Sequence, residues 1–268
     1  MEKLHQPLLI VEWVNTLLAP LLGLFGLHAA PGHPIIPDYL VISGLIVLGF
    51  LVLGLLLRSR LSVENPSKFQ LVLEDLVSAV AGMLDEWLGG QGRKYLPLIG
   101  ALGAFILVGN YIGLVPGFMA PTSNINVTVG CAITTWVYYH LQGIIAQGPI
   151  NYIKHFAGPA GIPWFVIPLM FVIEIIGHLS RVLSLSLRLF GNIFGEELVI
   201  IILGMIAPLF APLPIMVLGL ITAGLQAFIF VLLSIIYLQG AVMSEHHGDE
   251  AHHAHDAHAP AAGQAAAA

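Results

Sequence analysis

The sequence predicts an all-α integral membrane protein of about five transmembrane helices, the last two long and tilted, plus a cytoplasmic-side amphipathic helix. Three observations predict it. Of 268 residues, 57% are hydrophobic and only 9% are Asp, Glu, Lys or Arg, where a soluble domain carries roughly 25% charged residues. No Asp, Glu, Lys or Arg occurs from Tyr95 to Ile153, nor from Leu198 to Ser244, and one crossing needs about 20 apolar residues. The stretch from Trp164 to about Val242 is broken by Pro208, Pro212 and Pro214. Such a chain cannot cover a globule with polar surface, so its solvent is lipid. The single Cys131 lies in an apolar run and reads as a small packing residue. There is no basic patch and no aromatic-basic interleaving, which argues against a nucleic-acid partner.

Residues 1–38 read as an outer-side segment in which Leu8 to Leu27, interrupted by Glu12, Asn15 and Pro20, forms an interfacial helix; a sixth span is the alternative. The membrane domain is expected over 39–243. Its first span is 39–57, preceded by Pro34 and Pro37 and stopped by Arg58 and Arg60. In 67–88 the residues Phe69, Val72, Leu76, Val80, Met83 and Trp87 recur at helical spacing, while Glu74, Ser78 and Asp85 share another face. That pattern predicts a surface helix. The second span is 96–115, with Gly109 and Gly113 suited to close helix contact. Pro116-Gly117 and Pro121 make a turn, 125–145 is the third span, and a Gly/Pro-rich loop runs from Gln147 to Pro163.

The fourth span, 164–206, has 43 residues, roughly 65 Å of helix against a hydrocarbon core of about 30 Å. It is therefore tilted, bent or partly outside the core. Trp164 to Ile173 is too short to be a separate crossing before the first charge, Glu174. The fifth span is 215–242. A disordered His/Ala-rich tail, 244–268, carries His246, His247, His252, His253, His255 and His258, with incidental metal affinity expected and no built metal site. With five crossings Arg58, Arg60, Lys68, Arg93, Lys94 and Lys154 share one side and Lys3 lies on the other. This bias places the N-terminus outside and the C-terminus in the cytoplasm.

Charged groups within a transmembrane helix are costly and point to function. Glu174, His178, Arg181, Ser184, Arg188 and Asn192 follow one another at three or four residues and line one helix face. Gly191 and Gly195, one turn apart, leave room for a neighbouring helix. Glu197, nine residues after Arg188, points to the opposite side roughly 13 Å further along. Arg188 thus stands between carboxylates toward opposite membrane sides, as two offset aqueous half-pathways meeting at one arginine would require. An arginine does not deprotonate in proteins, so it attracts and discharges an anionic carboxylate without relaying a proton. The competing reading is that these arginines merely pair with Glu174 or Glu196 to hold helices together. His140 in the third span reads as a hydrogen-bonded packing histidine or a proton relay.

The segment Ser184-Leu-Ser-Leu-Arg188-Leu-Phe-Gly-Asn192, continued by Ile193-Phe-Gly-Glu-Glu197-Leu, resembles the signature of the subunit a family of F-type rotary ATP synthases. Gln226-Ala-Phe-Ile-Phe230 and Pro121-Thr-Ser-Asn-Ile-Asn126-Val-Thr128 resemble it in the same order. The resemblance implies that the two long C-terminal helices embrace a rotating ring of c subunits, with Arg188 forcing the ring carboxylate to release its proton. It implies Asn192, Glu197 and Gln226 in the outer half-channel and Glu174 in the cytoplasmic one; Glu196, beside Glu197, is read as a further carboxylate of the proton pathway. It places Arg181, Ser184, Gly191 and Gly195 at the ring contact. It further implies b subunits of the peripheral stalk as partners, no cofactor, and no bond-making by this subunit alone; no GxxxxGK[ST] motif occurs. Three positions depart from the pattern: Asn124 where many relatives have Asp, Gly219 where some carry a histidine or carboxylate, and Glu196 where a small residue is common. A secondary transporter would show internal repeats and interrupted helices in matching halves, and the charged helix has no counterpart in the first half. A purely structural membrane protein is the third class. The expected location is a bacterial inner membrane, with a plastid membrane second.

Overall fold

The computed structural model describes residues 11–17, 36–58, 61–62, 64–115, 118–156, 163, 165–207 and 210–243. Among the described residues seven helices follow one another: α1 Asp38–Arg58, α2 Lys68–Leu88, α3 Leu96–Ile112, α4 Ile125–Gln147, α5 Pro149–Phe156, α6 Ile167–Ile206 and α7 Pro212–Val242. A further helical turn occupies 11–17, tied to the start of α1 where the Ile36 N–H donates to Asn15 Oδ1 at 2.9 Å. The remainder of the expected interfacial helix, the Pro116-Gly117 turn and the His-rich tail lie outside the described residues.

Local chemistry fixes the helix ends. Ser67 caps α2 by accepting from the Gln70 N–H at 3.2 Å, and Asn124 caps α4 by accepting from the Asn126 N–H at 3.0 Å. Both follow the rule that a short polar side chain satisfies the unpaired donors of a first turn. Gly89 (φ 67°) ends α2 in a left-handed conformation that favours glycine. A 3₁₀ turn, Gly89–Tyr95, then leads directly into α3. Where the sequence reads a loop after Gln147, Gly148 (φ 79°) breaks the chain and Pro149 opens the short helix α5. Proline suits a first turn because its missing N–H is not needed there. The same property lets α7 begin at Pro212, earlier than the expected 215.

The helices α3, α4, α6 and α7 form the bundle, with α1 against α3 and against the 3₁₀ turn Pro121–Ser123. Toward the end of the bundle where α4 and α7 terminate, Leu84, Tyr95, Tyr139, Ile235 and Leu238 are buried together. Deeper in, Ile106, Leu185, Leu189, Ile193 and Phe230 form a second cluster with Cys131. The glycine pair of α3 packs mainly on the connection before α4: a Cβ at Gly113 would meet Ala120, and one at Gly109 would lie 3.4 Å from Pro121 and 3.9 Å from Ile46 of α1.

Among the described residues four helical stretches have the length and apolarity to cross a membrane: Asp38–Arg58, Lys68–Ile112, Ile167–Ile206 and Pro212–Val242. The sequence reading of five includes α4, which has 23 residues but carries Thr128, Thr134, Thr135, His140 and Gln142, and is less apolar for that reason. The helix α6 runs unbroken for 40 residues, about 60 Å. In its most apolar stretch only 11% of residues are buried, against 33% in α7. Leu179, Leu183 and Leu187 are among its exposed side chains. An apolar surface of that extent needs a lipid or protein neighbour.

Candidate functional site

The helix α6 divides into a packed face and an open face. Leu185, Leu189 and Ile193, spaced by one turn, are buried against α4 and α7. Arg188 lies about 100° away from Leu189 and is exposed. It makes no hydrogen bond or ion pair among the described residues, so the pairing with Glu174 or Glu196 weighed from sequence does not occur. Ser184, Gly191 and Asn192 are exposed beside it. Space around Gly191 and Gly195 is open, with no atom within 4 Å of where a Cβ would stand.

At the outer end the two adjacent carboxylates face different partners. Glu197 Oε1 accepts from the Ala120 N–H at 2.8 Å and so fastens α6 to the connection before α4. Glu196 Oε2 accepts from the Thr222 hydroxyl of α7 at 3.1 Å. Its Oε1 is buried with no hydrogen-bond partner among the described residues. It occupies the space that Gly219 leaves on α7, where a Cβ would collide with it. The two departures noted in the sequence are therefore one feature: the missing side chain at 219 makes room for the added carboxylate at 196. Gln226 is buried one turn beyond Thr222 on the same face of α7. Asn110 crosslinks this end: it accepts from the Thr122 hydroxyl at 2.7 Å and donates to the Ala223 carbonyl at 3.2 Å.

At the opposite end Glu174 Oε1 lies 3.3 Å from His178 Nε2. Arg181 is half-buried and turns inward: its guanidinium carbon is 5.5 Å from the centre of the Tyr237 ring, and Nη1 is 3.4 Å from His178 Nδ1. Of the sequence-expected set, Ser184, Arg188, Gly191, Gly195 and Asn192 therefore share the open face or its edge. Glu174 and Arg181 gather in an inner cluster, and Glu196, Glu197 and Gln226 at the outer end. Thr222, Ala120 and the tyrosines around His178 were not singled out from sequence. Thr222 had one available signal, its position one turn before Gln226. The Ala120 N–H had none, because a backbone donor leaves no trace in composition. Among the described residues no three His, Cys, Asp or Glu side chains are placed to hold a metal ion.

These features define a class: a multi-pass helical membrane protein whose longest helix carries an unpaired arginine outward at mid-length, with carboxylates anchored toward both ends. The family described as ATP synthase A chain matches residues 39–239. ATP synthase subunit a 3 of Pelobacter propionicus is 44% identical over 240 residues, covering 90% of this chain and 99% of the relative. ATP synthase subunit a of Citrifermentans bemidjiense is 45% identical over the same shares, and that of Desulfosudis oleivorans 50% identical over 68% of this chain and 78% of its own. The chain belongs to the ATP synthase subunit a family. It is a membrane-sector subunit and not a catalyst by itself.

Proposed function

We propose that this chain is the proton-conducting subunit of an F-type ATP synthase, delivering protons to and from a rotating c-ring through two offset half-channels. The observation that carries this reading is Arg188, a permanent cation on the open face of α6 with no partner among the described residues. Charge in that setting is expensive unless something outside compensates it. A ring carboxylate presented at the Ser184–Gly195 face would do so. The arginine would draw that carboxylate into its anionic form, forcing proton release, and would block direct cation passage between the half-channels.

The outer half-channel would use Asn192, Glu196, Glu197 and Gln226, with Glu196 the exchanging carboxylate because its Oε1 has no competing donor. Glu174 would serve the cytoplasmic half-channel, and Arg181 would steady it from the side. Five crossings, α4 included, would place the N-terminus outside and the C-terminal tail in the cytoplasm of a bacterial inner membrane. The ring and the b subunits of the peripheral stalk would be the direct partners.

The test is ATP-driven acidification of inverted membrane vesicles carrying Arg188→Ala, with assembly checked by co-purification. An assembled complex that no longer pumps supports the reading. Pumping at the unmodified rate contradicts it and returns the intramembrane charges to a structural role.

A further inference from the structure

Four helices bring a set of titratable side chains together at the Glu174 end, and the pathway outlined above uses only Glu174 and Arg181. His178 is buried at 7% exposure. It meets four groups directly, Glu174 and Arg181 on its own helix and Tyr139 and His140 from α4, while Tyr152 of α5 bonds His140 and Tyr237 of α7 lies against Arg181. Its Nε2 faces Glu174 Oε1 at 3.3 Å. Its Nδ1 faces the Tyr139 hydroxyl at 2.9 Å and Arg181 Nη1 at 3.4 Å.

These partners orient the ring. A guanidinium donates and never accepts, so the neutral imidazole accepts at Nδ1 and carries its proton on Nε2, directed at the Glu174 carboxylate. A polar cavity of about 60 Å³ adjoins the pair, lined by Glu174, His178, Arg181, Tyr152, Gln147 and Ala241. A single water needs only about 10–15 Å³. Gln147 is the last residue of α4 and Ala241 lies in the last turn of α7, so the cavity sits at the end of the bundle. Tyr152 closes over it, lying on Gly143, where a Cβ would meet its ring at 2.5 Å, and bonding His140 Nδ1 through its hydroxyl at 2.6 Å.

We propose that His178 is a proton-carrying residue of the cytoplasmic half-pathway, exchanging protons with Glu174 and through it with the cavity beneath Tyr152. The proposal rests on the rotary reading above. His178 takes up a proton at Nδ1 and becomes an imidazolium paired with the Glu174 carboxylate. It then gives its Nε2 proton to Glu174, which passes it to the cavity. The proton taken up at Nδ1 comes from the O–H of the ring carboxylate as that group is discharged; one proton enters and one leaves, the Nδ1–H imidazole left behind regains the Nε2–H form by turning about its Cβ–Cγ bond, and nothing is oxidised or reduced. Imidazole is suited to this because its charge changes within the physiological pH range and its two nitrogens face opposite ways. Tyr139 and Arg181 are positioning residues, acting through the ring.

The experiment uses the whole complex in inverted vesicles, whose outer medium bathes the cytoplasmic face. ATP-driven pumping is followed from about pH 5 to pH 8, the range in which histidine titrates, for the unmodified protein, His178→Gln and Arg188→Ala. The expected result is an assembled His178→Gln complex that pumps roughly tenfold more slowly and has lost the inflection in that range. His178→Gln pumping at the unmodified rate with the same inflection, while Arg188→Ala is dead, overturns the role of His178 and leaves the rotary reading intact. If both variants pump normally, both readings fall. If His178→Gln does not assemble, Tyr139→Phe decides, since it keeps the ring and removes only the hydroxyl on Nδ1. A displaced inflection then supports the relay, and an unchanged one overturns it.

Discussion

The middle and the ends of α6 are built on opposite principles. At the ends every carboxylate named above has a contact inside the chain: Glu174 with His178, Glu196 with Thr222, Glu197 with the Ala120 N–H. At mid-length Arg188 has no hydrogen bond or ion pair among the described residues, and no described atom comes within 4 Å of a Cβ placed at Gly191 or Gly195. A charge satisfied within its own chain can be explained by folding alone. A permanent cation left unsatisfied on an exposed apolar face cannot, because its desolvation is offset only by something outside the chain. On the reading proposed above, the middle of α6 would be the partner surface and its ends the fixed polar stations.

The comparison can be broken most forcefully at Gly191. Gly191→Leu adds bulk where the chain itself has nothing to collide with, so the complex should still assemble. Pumping should fall by at least an order of magnitude if a moving partner passes that face, and vesicle acidification measures it. Unchanged pumping would mean the open face meets only lipid. At the outer end the space is filled, and the same kind of change acts within the chain. Gly219→Ala should drive the Glu196 carboxylate from its place and lower the stability of the purified subunit by about 1–3 kcal/mol, the usual range for overpacking. Glu196→Ala in the same chain should recover most of that loss, as thermal unfolding in detergent would reveal.

Smaller effects sharpen the division of labour between the two adjacent carboxylates. Glu197→Ala removes a hydrogen bond to a charged acceptor and should cost about 1.5–3 kcal/mol of stability, loosening the connection before α4 to proteolysis. Thr222→Val, which removes only the hydroxyl on Glu196, should cost about 1 kcal/mol and slow pumping less than Gly191→Leu does. A Thr222→Val effect equal to that of Glu197→Ala would erase the distinction between a fastening carboxylate and an exchanging one.

Much of this arrangement was legible in the sequence because helical period and charge density survive without coordinates. The spacing of Glu174, His178, Arg181, Ser184, Arg188 and Asn192 needs only 3.6 residues per turn, and α6 is continuous through all of them. The opposed directions of Arg188 and Glu197 follow from the same geometry. What could not be read depends on contacts between helices. Gly219 and Glu196 looked like two separate oddities until α6 and α7 were placed side by side. Arg181, expected at the outward contact, turns inward because Tyr237 offers its ring face. The helix α5 was hidden in a Gly/Pro-rich stretch because eight residues carry too little periodicity to outweigh flanking breakers. The surface reading of α2 rests on its amphipathic pattern, and its Phe69, Val72 and Leu76 are exposed.

Cross-linking tests the central claim most directly. A photoreactive residue would be placed at Ser184 or Gly191 on the open face and, as control, at Ile235 in the core, in the assembled complex with its ring. Adducts with the ring subunit are expected from both open-face positions and none from Ile235. Open-face positions that label only lipid, in a complex that still pumps, would contradict that claim.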